Sequence, residues 1–322
     1  MLRTAAAATI LPLALAVPLS SATPPIKLTP KFVAGETLVY AVQSTTNTVG
    51  ATVAPIHNPE VPSQSSLSIN LRARLEVLSL DTQPEGASVR MRVTWESAHA
   101  SFAADAIDPA APNREAPYNK LEGQSLELTL APGGALKDFK GLEDVEPGGV
   151  PPADAVAWIA ALVAADSFPA DGIAVGRQWK AERPIAGAPL AGLFWRTQST
   201  YQRDEPCQAG FANVAPAESC AVIMSEMTIA RRGSSHADAT PDDYLRNGLR
   251  TFGTWSGSEQ EIGSISLATG LLVTATETST QSMDYTIKSA ASGSSVRYTA
   301  KVESRMGITL VASSGTQGSA HP

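Results

Sequence analysis

The sequence predicts a mainly β protein: a β-rich α+β fold of two related curved antiparallel sheet units with one buried helix at about 153–166. Three observations predict it. Apolar residues alternate with charged ones over several long stretches, a period of two that turns one row to a core and the other to water. One Ala-rich segment stands out as helical in a chain otherwise poor in helix signals. Glycine-containing segments recur at similar offsets in the two halves.

The strands are read first. Ile69, Leu71, Ala73, Leu75 and Val77 share one face, and Arg72, Arg74 and Glu76 share the other. A turn over 81–86 leads to Val89, Met91, Val93 and Trp95, which alternate with Arg90, Arg92, Thr94 and Glu96, so the pair reads as a hairpin with one wet face. Leu126, Leu128 and Leu130 continue the habit up to Pro132-Gly133-Gly134. Near the C-terminus, Val296, Tyr298, Ala300, Val302, Ser304, Met306, Ile308 and Leu310 form one stripe opposite Arg297, Thr299, Lys301, Glu303 and Arg305. A strand of that length is expected to curve.

The helix runs from Ala153 to Asp166, with Val156, Ile159 and Val163 on one face and Trp158 and Leu162 at its flanks. Ala fills most of the rest, so the helix is apolar nearly all round and is expected to lie buried against a sheet. Pro151-Pro152 sets its start and Ser167-Phe168-Pro169 its end. A weaker helix begins near Thr240-Pro241-Asp242-Asp243, where Thr240 is placed to cap.

The repeat rests on three matches: Gly35-Glu36-Thr37 with Gly176-Arg177-Gln178, Leu121-Glu122-Gly123 with Trp255-Ser256-Gly257, and Leu130-Ala131-Pro132-Gly133 with Leu267-Ala268-Thr269-Gly270. They divide the chain into a first β-rich half over 30–150, a connecting helix over 151–170 and a second β-rich half over 171–311. The Ser-, Thr- and Pro-rich segments 43–67 and 103–119 read as long loops, and 312–322 as a disordered tail.

Residues 1–22 read as an export signal. Arg3 is followed by an apolar run to Val17, and Ser20 and Ala22 fit the small-x-small cleavage pattern. The expected destination is periplasmic or extracellular, in a bacterium. Cys207 and Cys220 are the only cysteines, and an oxidising compartment makes them a disulfide. They flank a loose loop between strands read at 193–202 and 220–230, so the bond staples a hairpin.

Chemistry is sparse. The 322 residues are 17% charged and 6% aromatic, with 43% apolar and a formal charge of −7, which leaves no basic footprint for nucleic acid. No segment beyond the leader is long and apolar enough to span a bilayer as a helix. The four histidines, His57, His99, His236 and His321, are scattered. His236 and Asp238 offer two metal ligands where zinc needs three or four, so no metal and no cofactor is expected. Gly-x-Ser-x-Gly is missing, as are Gly-x-Gly-x-x-Gly and the phosphate loop. The nearest approach to a carboxylate pair is Glu259 and Glu261 on one strand face beside Trp255, read as a solvated face. The protein is therefore not expected to be an enzyme, and a hydrolase is a distant third choice.

Phe32-Val33-Ala34-Gly35-Glu36-Thr37-Leu38-Val39-Tyr40, Phe168-Pro169 through Gly176-Arg177-Gln178-Trp179, and Ile265 through Leu272 follow one another in an order that resembles a broad group of uncharacterised secreted bacterial β-rich proteins. In that group a hydrophobic-Pro-x-x-x-hydrophobic-x-x-Gly-x-x-Trp segment separates two β-rich halves. Its architecture is similar to the curved sheets of bacterial lipoprotein and lipid carriers, which bind acyl chains on the concave face. The resemblance implies a non-enzymatic protein holding an apolar or lipid-like ligand, with Leu71, Leu75, Met91, Val93, Trp158, Ile159, Met224 and Met227 as candidate lining. The alternative is a structural or protein-binding component of the cell envelope, with an envelope protein as partner. Gly176 and Trp179 read as turn and packing residues.

Overall fold

The computed structural model describes residues 25–53, 63–83, 86–105, 113–132, 135–141, 159–163, 168–185, 187–207, 218–233 and 240–314. The expected export signal, His57, His236, His321, Trp158 and residues 153–158 and 164–166 of the expected helix lie outside them.

Eleven strands form one antiparallel sheet. The first five are β1 (Thr37–Val53), β2 (Ser63–Gln83), β3 (Gly86–Ala104), β4 (Ser125–Leu130) and β5 (Leu136–Lys140). The next six are β6 (Gln178–Pro184), β7 (Leu193–Pro206), β8 (Ser219–Arg231), β9 (Leu249–Ser266), β10 (Leu272–Ser289) and β11 (Ser295–Ser314). The spatial order is β5-β4-β3-β2-β1-β11-β10-β9-β8-β7-β6. Two meanders thus meet where the first strand pairs with the last. β1 gives one edge to β2 and the other to β11, from Thr37 opposite Ser314 to Val53 opposite Arg297.

The expected two sheet units are therefore corrected to one continuous sheet. Alternation locates strands and their faces, but it carries no information about which edges join. Part of the repeat does have a structural counterpart. Gly35 and Gly176 both turn at positive φ, 79° and 81°, where a Cβ would be strained. The amide of Gly35 donates to the carbonyl of Val77, and that of Val77 returns to Glu36. Gly176 and Tyr201 repeat the scheme, with Tyr201 returning to Arg177. A second match fails, since Gly123 sits in a turn at φ 78° whereas Gly257 lies within β9, and the third includes Gly133, which lies outside the described residues.

Several expected loops prove to be strand. Residues 43–53 continue β1, 63–67 open β2, and 312–314 end β11. These segments are rich in Ser and Thr, so they lack apolar alternation while Thr still favours a pleated backbone. Residues 103–104 end β3, and Ala116–Asn119 form a short helix. A further short helix, Asp242–Arg246, has no side-chain cap. The Thr240 hydroxyl instead accepts the amide of Thr251 at 2.8 Å. Both sheet edges are blunted against further pairing. β5 is short, carries Lys137 and Lys140, and is irregular where Asp138 adopts φ 54°, while β6 ends in Pro184.

The inner face of the sheet holds the core. Leu38, Tyr40, Leu75, Met91, Val93, Leu126 and Leu128 form one buried cluster with Ile223, Ile265, Ile308 and Leu310 from the other half. Residues 159–162 are helical, and Ile159, Leu162 and Val163 are buried in that cluster. The N-terminal Leu28 and Phe32 join it, tied down by the bridge between Ile26 and Ile173. The outer face of β2–β4 is an ion-pair ladder. Arg72 meets Glu96 at 2.8 Å, Arg74 meets Glu76 at 3.0 Å, and Arg92 and Arg90 meet Glu127 at 2.7 and 2.5 Å.

Candidate functional site

Cross-strand register sets the inner row of the second half. On β11 and β10, Met306 lies opposite Glu277 and Ile308 opposite Ala275. On β10 and β9, Glu277 lies opposite Glu261, Ser279 opposite Glu259, and Ala275 opposite Gly263. β8 adds Ile223, Ser225 and Met227 beside Gly263, Glu261 and Glu259. β7 adds Ser199 and Thr197, and β6 adds Trp179 and Ala181. These residues, with Ala160 and Ala161 of the helical turn and Phe168 beyond it, line a cavity of about 440 Å³.

The cavity also shows that the sheet is curved. β6 and β11 are five strand spacings apart, about 24 Å in a flat sheet. Trp179 of β6 and Met306 and Ile308 of β11 nevertheless line one volume of this size. The helical turn has two roles here: Ile159, Leu162 and Val163 seal the core, while Ala160 and Ala161 face the open space. At Gly263 an added Cβ would meet nothing closer than 3.8 Å, so this glycine contributes room.

The cavity is amphipathic. Its apolar wall includes Ile223, Met227, Ile265, Leu272, Met306 and Ile308, and Phe168 tilts against Trp179 with ring centres 6.1 Å apart. The polar side holds Glu259, Glu261 and Glu277, with Arg183 of β6 as its basic residue. Ser199 and Ser225 satisfy each other through a 2.8 Å hydrogen bond. Burial first, then Glu277 and Glu261, pushes the Glu259 carboxyl up to about 8. Burial followed by Glu261 pushes Glu277 up to about 7, and burial raises Glu261 against the opposing pull of Arg183. Among the described residues no three His, Cys, Asp or Glu side chains are placed to share a metal ion.

The disulfide between Cys207 and Cys220 is present and closes the β7–β8 hairpin. The remaining lining candidates scatter. Leu71, Leu75, Met91 and Val93 lie in closed core under β2 and β3, away from the cavity. Ile159 is sealed beside it, and Met224 lies on the outer face opposite the exposed Ile262. Met227 lines the cavity. His99 is exposed on β3 and does not line the cavity.

Glu259 and Glu261, read as a solvated face, are instead half-buried in the cavity. Sequence reading missed Glu277 altogether, because β10 is rich in Ser and Thr and gives no apolar stripe. The one signal available was the β propensity of those threonines.

No family model matches the chain, and no curated protein matches it. Among solved structures, one described as "lipid-protein interactions in lipovitellin" aligns with a TM-score of 0.45 and 11% identity, over 91% of this chain and 27% of its own. The chain thus spans about a quarter of that protein's length. The outer membrane protein OprG from Pseudomonas aeruginosa aligns at 0.20 with 7% identity, over 87% of this chain and 97% of its own. DynF from Micromonospora chersina aligns at 0.18 with 9% identity, over 94% of this chain and 93% of its own. At these scores the likenesses add nothing to the sheet described above. Among the described residues no helix is long and apolar enough to cross a membrane.

Proposed function

We propose that the protein is an exported, non-enzymatic binding module that holds an apolar or lipid-like ligand against the inner face of β6–β11. The observation that carries this reading is the cavity of about 440 Å³ between that face and the helical turn at 159–162. Its size falls within the range of small-molecule sites, which are concave, largely apolar and equipped with a few polar groups. A concave volume of this size beside a sealed core offers room for a small apolar molecule. The disulfide supports export, because such bonds persist in oxidising compartments.

The test has two arms. Native mass spectrometry of protein purified from its own source is expected to show an added mass that is lost on denaturation. Titration with the neutral fluorophore N-phenyl-1-naphthylamine is expected to give a saturable, one-site rise in emission. A protein without a co-purifying mass that also fails to bind the fluorophore saturably would sink the reading.

A further inference from the structure

The polar side of the cavity narrows the ligand's chemistry. Glu182, at the rim, is already neutralised by Arg232 at 2.6 Å and Arg196 at 3.6 Å. Glu259, Glu261 and Glu277 have no ion-pair partner within 4 Å among the described residues, and only Arg183 offers positive charge to them. Three acidic groups on one wall, facing an apolar wall, leave the cavity short of cations. Buried carboxyls without partners stay protonated or attract a counter-charge.

We propose that the cavity takes a cationic amphiphile, its hydrocarbon or aromatic body against Ile223, Met227, Met306 and Ile308 and its ammonium group among Glu259, Glu261 and Glu277. This assignment rests on the binding reading above and specifies the polar end of the ligand. An ammonium suits the site better than a divalent metal, because the carboxyls are not placed to share one ion. It also suits it better than a fatty acid, whose carboxylate would face three acidic groups.

The groups facing the cavity set its pH behaviour. Glu259 and Glu261 come from β9, Glu277 from β10, Arg183 from β6, and β7 and β8 contribute only Thr197, Ser199 and Ser225 as polar groups. Burial holds Glu259 and Glu277 partly protonated near neutrality. An arriving ammonium favours their ionised forms, so binding releases protons and tightens as pH rises from 6 to 8.5.

The experiment compares octylamine, octanol and octanoate as competitors of N-phenyl-1-naphthylamine, with proton release measured by calorimetry in buffers of different ionisation enthalpy. Octylamine is expected to bind about tenfold more tightly than octanol at pH 8.5, with octanoate weakest. Glu259→Gln/Glu277→Gln keeps the shape and hydrogen-bonding capacity of protonated carboxyls. This double variant is expected to lose both the amine preference over octanol and the proton release. Equal binding of octylamine and octanol, tighter binding of octanoate, or an amine preference that survives in the double variant would overturn the assignment while the fluorophore still binds. Failure of every probe, the fluorophore included, would overturn the binding reading itself.

Discussion

The inner faces of β2–β4 and of β6–β11 follow the same alternation and reach opposite ends. Under β2–β4 the inward row is Leu75, Met91, Val93, Leu126 and Leu128, each at most 1% exposed. Large branched and flexible side chains from adjacent strands interdigitate there and exclude solvent. Under β6–β11 the corresponding row holds Gly263, Ser199, Ser225 and three glutamates among its apolar residues. Two serines and a glycine fill too little volume, and carboxyls resist dry packing, so the same pleat leaves a cavity. The outer faces differ as well: β2–β4 carry a ladder of Arg and Glu, whereas β9 and β10 carry mostly Ser, Thr and Gln. Alternation decides which side a residue faces, and the volume and polarity of the row decide whether that side closes.

The largest effect is expected at the helical turn that serves both regions. Ile159→Asp places an unpaired carboxylate where the native side chain is 1% exposed, costing roughly 3 kcal/mol or more. Urea denaturation should show loss of the folded baseline or aggregation. An unchanged midpoint would mean that the turn is a movable cover and not part of the sealed core.

Loss of the staple comes next. Cys207→Ser/Cys220→Ser removes a bond that closes a separation of 13 residues, worth about 3 kcal/mol in the chain-entropy picture. Thiol counting on the unfolded native protein should find none free. A pair of core truncations then sharpens the contrast between the regions. Leu75→Ala in the closed region should cost about 3 kcal/mol, whereas Met306→Ala at the cavity wall should cost under about 1.5 kcal/mol, both read from denaturation midpoints. Equal costs would erase the distinction between closed and open faces.

The carboxyls are expected to have a smaller effect, with a definite sign. Their folded pKa values are raised above the unfolded value, so their protonated forms are favoured in the fold. Stability on this account is fully present below the unfolded pKa near 4.5 and is lost as pH rises through the range of about 7 to 8. Glu259→Gln/Glu277→Gln should therefore leave stability unchanged at pH 4 and raise it at pH 9, by roughly 1 kcal/mol after discounting for solvent, with the melting temperature as the readout. A lower melting temperature at pH 9 would show that these groups are stabilised as anions. Gly263→Val should change stability by less than about 1 kcal/mol, since the site has room. It should also weaken N-phenyl-1-naphthylamine binding, and unchanged binding would place the ligand elsewhere.

The legible part of this protein was the local part. Leu71 to Val77 and Val89 to Trp95 declared their faces because side chains two residues apart share a side of the pleat. Leu126, Leu128 and Leu130 did so for the same reason, and the two cysteines declared their bond because a chain with only two, set at facing strand ends, has one pairing to make. The segment 43–53 and β10 stayed hidden because Ser and Thr blur the alternation. The Glu259–Glu261 pair was visible as one face of a strand, but whether that face met water or a wall was not.

By itself, then, the sequence determined the β class, the faces of its apolar strands, a helical segment near 159 and the disulfide. Only the tertiary structure decided that β1 and β11 join the halves into one curved sheet, that Glu277 lies opposite Glu261, and that a cavity opens beneath them. Face and period are properties of neighbouring residues along the chain. Register and enclosure depend on contacts between residues as distant as Val42 and Ile308, and no local pattern encodes which distant edge a strand will meet.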